Sequence, residues 1–558
     1  MTGDVFDLSD RLVGDLVALS PIEATHIGVD GFDHLWDDLS PEGIETRRFV
    51  FDRYRQAFAS LVVSQDRWER LATRVGREYV EEHLDAIANE DDLCDLNTVA
   101  SPLQNIRQVF DHMDSSTVAG WENIATRMET LHEVMGGYQR TLQAGQRKGL
   151  QAARRQVLAG RVEAGINAGD GSFFASVPDR FRAWGGADSG ALEARIEAAS
   201  RSARESFAKL GEFLELGYLP GAPVEDGVGI DRYLRHARKF LGMAIDPDEI
   251  YEWGWTQVAA LHRRMVVIAD QVDSSASLAQ VIRMLKTDPA RCASSQAQFV
   301  EIMKHRQEAA LAALDGTHFD IPEPAKRLNV KIAPPSGSLG AYYVQPSEDF
   351  SRPGAVWYSL GDQSRIALWD EVSTAYHEGF PGHHLQCAVQ LSLAHRLSRL
   401  HRLLVWHPGY GEGWALYTEL LMKEFGYLEK PEYELGMLSA EMLRACRVVI
   451  DIGLHLGYLI PRNAVFRPGE AWTFETAVEM LTDMAFLNGD YAISEVTRYL
   501  GWPGQAISYK VGQKVILDLR DEMRARAGQA FDLKEFHSRV LGSGPVGLAH
   551  LRELVLEE

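Results

Sequence analysis

Cysteine is scarce in this chain of 558 residues, which contains only Cys94, Cys292, Cys387 and Cys446. The four are scattered, and no two of them form a CxxC pair. Paired or closely spaced cysteines are the pattern of disulfide frameworks and of thiolate zinc sites. The sequence therefore indicates neither of these, and any metal site must be built from histidine and carboxylate side chains.

Long apolar runs are also missing, since no stretch approaches the ~20 residues that a membrane-spanning helix needs. The first seven residues contain two acidic side chains and no basic one, which is unlike the start of a secretory signal. No phosphate loop of the GxxxxGK[ST] type occurs. We therefore expect a cytoplasmic protein that does not contact membranes.

Positive charge is in deficit, with 57 basic against 79 acidic residues and a formal net charge of −22. A surface this acidic repels nucleic acid and anionic membranes, so neither is an expected partner. The hydrophobic fraction of 46% is ample for a large buried core. These properties suit a protein that meets cationic or neutral substrates.

Most of the chain has apolar residues recurring every three or four positions, which predicts a mainly α fold. Residues 328–360 differ, because "LNVKIA", "AYYVQ" and "AVWYSL" are short β-prone pieces among prolines. They predict a small β-sheet or ribbon just before a cluster of histidines. We expect one unit over 1–558, with two possible lobes: a helical N-terminal lobe, 1–325, and a motif-bearing lobe, 326–558.

The histidine cluster is "AYHEGFPGHHLQ", residues 375–386, and a helix predicted over 366–378 carries His377 and Glu378 near its end. Pro381 lacks an N–H and must kink or end that helix. In the zinc motif HExxH, two histidines four residues apart face one metal and the glutamate acts as base. The cluster is therefore either a zinc site with a stretched spacing or a histidine-rich helix end, where histidines suit the helix dipole.

The spacing leaves two candidates for the second histidine ligand beside His377. On an ideal helix, His383 lies about 240° around from His377, whereas His384 returns to within about 20° of it. Ideal geometry thus favours His384. If Pro381 and the glycine after it are a two-residue insertion in the HExxH motif, His383 is the second metal ligand instead.

A third ligand is expected downstream, in "HPGYGEGWALYTELLMKEFGY", which predicts a helix from about Gly411 to Gly426. Two histidines with one glutamate are a standard catalytic zinc set, and Glu412 is the candidate. The alternative is a glutamate that merely suits the start of a helix. Glu419, seven residues on, either orients a ligand or is a surface residue.

The next predicted helix, "MLRACRVVIDIGLHLGYLI", is mostly apolar, yet Arg444, Arg447, Asp451 and His455 recur on it at steps of three, four and four. Charges on a buried helix need partners. The stripe is either a structural ion-pair network or the lining of a catalytic cleft. In a cleft, His455 or an arginine would bind a substrate carboxylate or a developing oxyanion.

Two further stretches supply candidate residues. In "TRYLGWPGQAISYKVG", Arg498 and Tyr509 precede an amphipathic helix, and the tyrosine hydroxyl is a candidate oxyanion donor or a packing residue. Tyr342 and Tyr343 lie in the predicted ribbon, which would align an extended substrate by main-chain hydrogen bonds.

Together, "YHEGFPGHHLQ", "EGWALYTE", "RACRVVIDIGLH" and "RYLGWPGQAISYKVG" resemble the bacterial "domain of unknown function 885" family, grouped with the zincin-type metallopeptidases. The resemblance spans nearly the whole chain and implies a large, helical zincin-like metallopeptidase fold with a small sheet beside the active-site helix. It implies His377, His383 and Glu412 as metal ligands and Glu378 as general base. The family keeps the first histidine of the pair more firmly, which selects His383.

Other residues remain candidates for catalysis or for orienting the ligands. The catalytic candidates beside Glu378 are Tyr509, His455 and Arg498. The alternative ligands or supporting groups are His384, the Gln386 of the HExxPGHxxQ motif, Glu419, Asp451, Arg444 and Arg447.

The expected function is a zinc-dependent hydrolase, a peptidase acting on short peptides, with another divalent metal as the alternative cofactor. A metallohydrolase of a non-peptide amide and a non-catalytic binding protein that keeps the fold are the alternative functions. Expected partners are a peptide or small amide substrate and, as a possibility, a second copy of the chain in a homodimer.

Overall fold

The computed structural model describes residues 4–186, 190–333 and 340–557. The chain packs as two compact units. The first comprises Met1–Asp226 and Ser398–Leu404, and the second comprises Gly227–Leu397 and Val405–Glu558. The lobe boundary expected near residue 325 falls inside the second unit, which contains all the candidate site residues.

The first unit is helical. Its helices before residue 226 are α1 (Asp4–Leu19), α2 (Pro21–Ile27), α3 (Pro41–Ser60), α4 (Arg67–Ala88), α5 (Pro102–Gln108), α6 (Val118–Arg147), α7 (Arg154–Ala168), α8 (Phe173–Trp184) and α9 (Gly190–Glu212). Helices α6, α7, α8 and α9 pack around one apolar core. Arg127 of α6 is fully buried and donates hydrogen bonds to the carbonyls of Pro21, Phe32 and Leu35, so it holds the segment that follows α2.

The second unit is also mainly helical. Its first helices are α10 (Ile230–Leu241), α11 (Pro247–Val272), α12 (Leu278–Thr287), α13 (Gln296–Leu314), α14 (Glu371–Glu378) and α15 (His383–Ser392). After α16 (Arg399–Leu403), which belongs to the first unit, follow α17 (Pro408–Glu424), α18 (Pro431–Leu456), α19 (Phe474–Met484), α20 (Gly489–Gly501), α21 (Ser508–Ala527), α22 (Leu533–Gly542) and α23 (Leu548–Leu556). The predicted mainly α fold is confirmed.

Two small sheets lie in this unit. The strands are β1 (Cys292–Ala293), β2 (Leu328–Ile332), β3 (Gly340–Val344), β4 (Gly354–Ser359) and β5 (Ile366–Ala367). In the three-stranded sheet β4 is central, parallel to β2 and antiparallel to β3. All three predicted β pieces are thus strands of one sheet. This sheet contacts α13, α14 and α15, so it lies beside the histidine cluster.

The helix predicted over 366–378 is too long at its start. Ile366 and Ala367 form β5, which pairs with β1 in an antiparallel ladder, and α14 begins only at Glu371. The cross-strand partners, Ala293 and Cys292, are more than seventy residues away in sequence. Such long-range pairing overrides local helix preference.

Glycines bring two site-bearing helices into close contact. A Cβ atom at Gly512 of α21 would overlap the carbonyl oxygen of Gly409 and the Cα of Gly413, both on α17. Only glycine permits this approach of two backbones. The contact places the start of α21, with Tyr509, against the start of α17, with Glu412.

Helix α18 is the central element of the second unit. It contacts α11, α14, α17, α19, α20 and α21, and most of its residues are buried. Gly436 marks one close approach, because a Cβ there would overlap the carbonyl oxygen of Trp369 just before α14. None of the described helices is long and apolar enough to cross a membrane.

Candidate metal centre

The histidine cluster spans a break between two helices. Helix α14 ends at Glu378, α15 begins at His383, and residues 379–382 form a turn. Gln307 of α13 holds this turn: its Nε2 donates to the Ala375 carbonyl at 2.7 Å, and its Oε1 accepts from the Phe380 N–H at 2.6 Å. The two histidines therefore do not share one helix, and angles around an ideal helix do not apply to them.

Close backbone contacts leave no room for side chains in the turn. A Cβ at Gly382 would overlap the carbonyl oxygens of His377 and Tyr376. From the other side, the indole N–H of Trp414 donates to the Pro381 carbonyl at 3.0 Å. The turn is thus held by α13 and α17, and it directs His383 back toward His377.

Three side chains converge at this turn. Oε2 of Glu412 lies 3.3 Å from Nε2 of His377 and 3.5 Å from Nε2 of His383. One ligand atom from each of the three residues lies within 4.8 Å of the others. The two imidazole rings are almost perpendicular, with centroids 5.0 Å apart. Both histidines are buried, and the Glu412 side chain is 16% exposed.

A second carboxylate fixes the orientation of His377. Oε1 of Glu419 lies 2.9 Å from Nδ1 of His377, and the Ser373 hydroxyl donates to the other oxygen of Glu419. Both Glu419 and Ser373 are buried. A carboxylate on Nδ1 holds a proton there, so that Nε2 faces Glu412 and would be the nitrogen that binds a metal. This is how metal-binding histidines are usually oriented.

The protein groups alone make this a strongly coupled acid–base cluster. Burial lowers the pKa of His377, but its hydrogen bonds to Glu412 and Glu419 outweigh burial and raise that pKa to about 10. Burial raises the pKa of Glu412, yet the hydrogen bonds from His377 and His383 hold it well below its usual range. A metal ion would have to displace a proton from this cluster.

Glu378 is adjacent to the cluster but has a different electrostatic environment. Burial raises its pKa, and Glu412 adds to the rise, while His377, His383 and Arg444 act in the opposite direction. The net pKa is above the usual glutamate value. A carboxylate with a raised pKa is a better general base near neutral pH than an ordinary one.

The donor set fits a divalent metal ion. Two imidazole nitrogens and one carboxylate oxygen are a common catalytic zinc set, and ligand atoms around a tetrahedral zinc lie about 3.4 Å apart. The measured separations from Glu412 are close to this value. Apart from the two Nε2 atoms, the buried Oε2 of Glu412 has no hydrogen-bond partner among the described residues, so a cation between the three atoms would take up its lone pairs.

His384 is turned away from this cluster. Its Nε2 donates to the Ala325 carbonyl at 2.7 Å, and its Nδ1 lies 3.0 Å from the Tyr343 hydroxyl. Burial lowers its pKa to about 4, so it is neutral. Neither nitrogen has a lone pair left for a metal. Gln386, the other alternative ligand, is buried and donates to Gln390 at 3.2 Å.

The stripe of charged residues on α18 divides into two parts. The first, Asp451 and His455, is hydrogen-bonded to neighbouring segments. Asp451 accepts from the Tyr233 hydroxyl at 2.8 Å and from the Gly504 N–H at 3.0 Å. Nε2 of His455 lies 3.1 Å from the Tyr499 carbonyl. Burial raises the pKa of Asp451 to about 7 and lowers that of His455 to about 4. These contacts favour a packing role for His455 over the predicted catalytic one.

The second part of the stripe is a buried charge cluster. Nε and Nη2 of Arg447 donate to Glu495 at 3.0 and 2.7 Å, and the same carboxylate accepts from Arg498 at 3.1 Å. The Arg447 guanidinium lies over the Tyr509 ring, 4.5 Å from its centroid. Burial raises the pKa of Tyr509, and Glu412 is the largest of the charges that add to the rise. This cluster therefore adjoins the candidate metal centre.

The two predicted substrate-binding tyrosines lie on opposite faces of β3, as neighbours on a strand must. Tyr343 is directed toward His384. Tyr342 is exposed and stacks on Trp357 of the central strand, β4. Lys331, on the strand that flanks β4 on its other edge, contacts the same indole. Tyr342 is the more exposed of the pair.

Sequence reasoning missed Gln307, Ser373 and Trp414. Ser373 has a local signal, because it lies four residues before His377 on the same face of α14. Trp414 follows Glu412 by two positions and has no spacing signal of its own. Gln307 lies 68 residues from its partner Ala375, and no local pattern joins them.

Comparison with known proteins places the chain in a family. Residues 21–555 match the family described as "Bacterial protein of unknown function (DUF885)". The chain belongs to this family. The resemblance seen in the motifs is therefore confirmed for DUF885, whose description names no metal and no activity. No curated protein matches the chain with significance.

Two solved structures share the fold of this DUF885 chain. One is described as the "putative lipoprotein from Colwellia psychrerythraea", with a TM-score of 0.86, 23% identity and coverage of 99% of this chain and 98% of that one. The other is a "putative lipoprotein of unknown function from Shewanella oneidensis", with a TM-score of 0.74, 17% identity and full coverage of both chains. At these identities the likeness shows the fold alone.

Proposed function

We propose that this DUF885 protein is a zinc-dependent hydrolase, a peptidase acting on short peptides. One observation carries the proposal: His377, His383 and Glu412 present three metal-ligand atoms within 4.8 Å, and Glu378 is adjacent in the chain to the first of them. A structural metal clamp has no need of the base, whereas a hydrolase does.

A zincin-like arrangement is part of the proposal. Its support is the order of elements around the cluster: the motif on α14 and α15, the third ligand on α17, and a three-stranded sheet in contact with α14 and α15. Strand β3 is an edge of that sheet. Edge strands are the places where an extended peptide can add to a sheet.

In the proposed reaction the residues of the chain have separate roles. A zinc ion held by His377, His383 and Glu412 would act as a Lewis acid and lower the pKa of a water molecule bound to it. Glu378 accepts the proton of the attacking water and delivers it to the leaving amine nitrogen. Glu419 keeps His377 in the orientation that presents Nε2.

Negative charge that develops on the substrate carbonyl oxygen needs a donor. Tyr509 is the best candidate, since it lies at the start of α21, against the part of α17 that carries Glu412. Its hydroxyl would donate to that oxygen. Arg498 is less suited, because Glu495 and Gln505 already accept its hydrogen bonds.

The deciding experiment measures metal and turnover on the same preparations. Protein purified without a histidine tag is assayed for zinc by elemental mass spectrometry and then incubated with a mixed peptide library, with products read by mass spectrometry. We expect about one zinc per chain and cleavage that is lost in Glu378→Gln while zinc is kept. The matched control is Glu424→Gln, at the exposed end of α17. This change removes the ion pair between Glu424 and Arg520, away from the cluster.

Other results would lead to the alternative functions. Zinc with no peptide cleavage, but with activity on a panel of non-peptide amides that requires Glu378, would indicate a different amide substrate. Unchanged activity in Glu378→Gln would contradict the mechanism. No zinc, even when it is offered, would leave a binding protein that keeps this fold.

Location and assembly remain separate predictions. The description of both structural neighbours as putative lipoproteins gives no support to the predicted cytoplasmic location. Cell fractionation, with and without detergent, distinguishes a cytoplasmic protein from one held at a membrane surface. Light scattering after size exclusion tests the predicted homodimer.

A further inference from the structure

Two arginines of α18 have hydrogen-bonding capacity that the protein does not use. Arg447 is 95% buried, since its relative exposure is 5%, and its Nη1 has no hydrogen-bond partner among the described residues. Arg444, one turn earlier, donates through Nη1 to the Ala440 carbonyl of its own helix, and its buried Nε has no described partner. Leaving a buried charged donor unpaired is costly, so these groups have capacity for an anionic ligand.

Two of the three guanidinium nitrogens of Arg447 already donate hydrogen bonds within the protein. Nε and Nη2 are paired with Glu495, and Nε also lies 3.2 Å from the Tyr499 hydroxyl. Glu495 accounts for the position of the guanidinium, which lies over the Tyr509 ring. It does not account for Nη1. An anchored guanidinium with an open N–H is organised in advance for a carboxylate.

Around these two residues, arginines are in excess over the carboxylates that form ion pairs with them. Arg447 and Arg498 share one carboxylate, that of Glu495. No carboxylate of the described chain lies within ion-pair distance of Arg444. A ligand that carries one negative charge would reduce this excess.

The arginines adjoin the candidate metal centre rather than a remote part of the unit. Helix α18 contacts α14, α17 and α21, the helices that carry His377, Glu412 and Tyr509. The Arg447 guanidinium lies over the ring of Tyr509, the proposed oxyanion donor, 4.5 Å from its centroid. A substrate group bound here would lie next to the reacting amide.

We propose that Arg447, assisted by Arg444, binds a free carboxylate of the substrate, so that the enzyme cleaves short peptides next to their carboxyl terminus. This inference rests on the hydrolase proposed above. The carboxylate accepts from Nη1 of Arg447, and Arg444 supplies the second positive charge. Water adds its hydroxyl to the acyl carbon and a proton to the amine nitrogen, the C–N bond breaks, and the released product carries the bound carboxylate.

The test compares two libraries of the same short peptides, one with free carboxyl termini and one with carboxamide termini. Zinc-treated Glu378→Gln protein measures binding without turnover, by mass spectrometry of the peptides retained after gel filtration. We expect free-acid peptides to be retained about 10- to 100-fold better, the value of one or two charged hydrogen bonds. The same comparison with wild-type protein measures cleavage.

Variants assign the preference to the arginines. In the Glu378→Gln background, Arg447→Gln should remove the preference and Arg444→Gln should reduce it. Arg447→Lys, which keeps a charge opposite Glu495, should retain part of it, and it remains informative if Arg447→Gln does not fold. Arg526→Gln, an exposed change near the far end of α21, should leave the preference unchanged.

The outcomes separate this inference from the proposed reaction. Equal retention of the two libraries, retention of neither, or a preference that survives both Arg447 changes would overturn the carboxylate site. Selective retention that depends on Arg447, without any cleavage by the wild-type protein, would support the site and contradict the hydrolase. Release of single residues or dipeptides from free-acid peptides alone would support both.

Discussion

Nδ1 of His377 and Oε1 of Glu419 lie 2.9 Å apart, both buried, and this pair sets the direction in which His377 presents Nε2. The two residues are on different helices, α14 and α17, and Ser373 holds the carboxylate from the side of α14. The ligand orientation is therefore produced by the packing of two helices. It follows that the affinity for metal should depend on a residue that does not touch the metal.

Glu419→Gln tests this dependence. The glutamine side chain has no negative charge to hold a proton on Nδ1 of His377. Its NH₂ group can also face the imidazole and donate to Nδ1, where the glutamate oxygen accepted. We expect zinc affinity to fall about 10- to 100-fold, as for other outer partners of metal-bound histidines. Competition with a chromogenic chelator measures it. Glu424→Gln on the same helix is the control, and an equal loss in both variants would contradict a specific role for Glu419.

The choice between the two adjacent histidines is a second prediction. His383→Ala should lose bound zinc, as should His377→Ala, because each removes one of three ligands. His384→Ala should keep it, since both nitrogens of His384 bond elsewhere, to Ala325 and Tyr343. Zinc per chain by elemental mass spectrometry checks all three. Zinc retained in His383→Ala and lost in His384→Ala would reverse the assignment.

Gly382→Ala should disrupt the turn between α14 and α15. The new Cβ overlaps the carbonyl oxygens of His377 and Tyr376, so the backbone of the motif must shift. We expect a loss of more than about 2 kcal/mol in the free energy of unfolding, together with weaker zinc binding. Urea unfolding and the chelator competition measure the two effects.

Gly165→Ala is the matched control for that change. Gly165 lies in the exposed part of α7, in the first unit, with nothing within 4 Å of an added Cβ. The same substitution there should stabilise the protein by about 0.4–1 kcal/mol, because it restricts the unfolded chain. If Gly382→Ala were as stable as Gly165→Ala, the turn would not be constrained as described.

Asp451 makes stability depend on pH. Burial raises the pKa of Asp451 to about 7 in the folded protein, above the value near 3.9 in an unfolded chain. Below pH 4 its contribution is fully present, and it is lost progressively as pH rises through 7. Asp451→Asn has no such charge to bury. The variant should therefore gain stability relative to the wild type as pH rises from 5.5 to 8.

Urea unfolding midpoints at the two pH values measure this difference, with both proteins freed of metal by a chelator so that metal loss does not contribute. Burial lowers the pKa of His455, whose Nε2 lies 3.7 Å from Asp451, to about 4, so His455 stays neutral in this range. A constant difference between variant and wild type from pH 5.5 to 8 would contradict the raised pKa of Asp451.

Several elements could be predicted because their signals are local. The strands β2, β3 and β4 follow from short runs of β-prone residues, and the long α18 follows from apolar periodicity. The start of α14 could not be placed correctly. Its first predicted residues, Ile366 and Ala367, pair with β1 instead, and that partner is distant in sequence.

The sequence by itself supplied the candidate side chains of the site. Residue type and spacing are visible in the sequence alone. They pointed to the HExxPGHxxQ motif, to the glutamate at 412 and to the stripe on α18. The spacing also required a helix break, because Pro381 has no N–H to continue the helix.

Only the tertiary structure decided how these side chains are used. It directs His383 to Glu412 and His384 to Ala325, and it leaves Arg447 with an open donor while Oδ2 of Asp451 accepts from Tyr233 and Gly504. The physical reason is that a buried polar group is defined by its hydrogen-bond partners. Those partners come from other helices and strands, often far away in the chain, where neither spacing nor periodicity carries information about them.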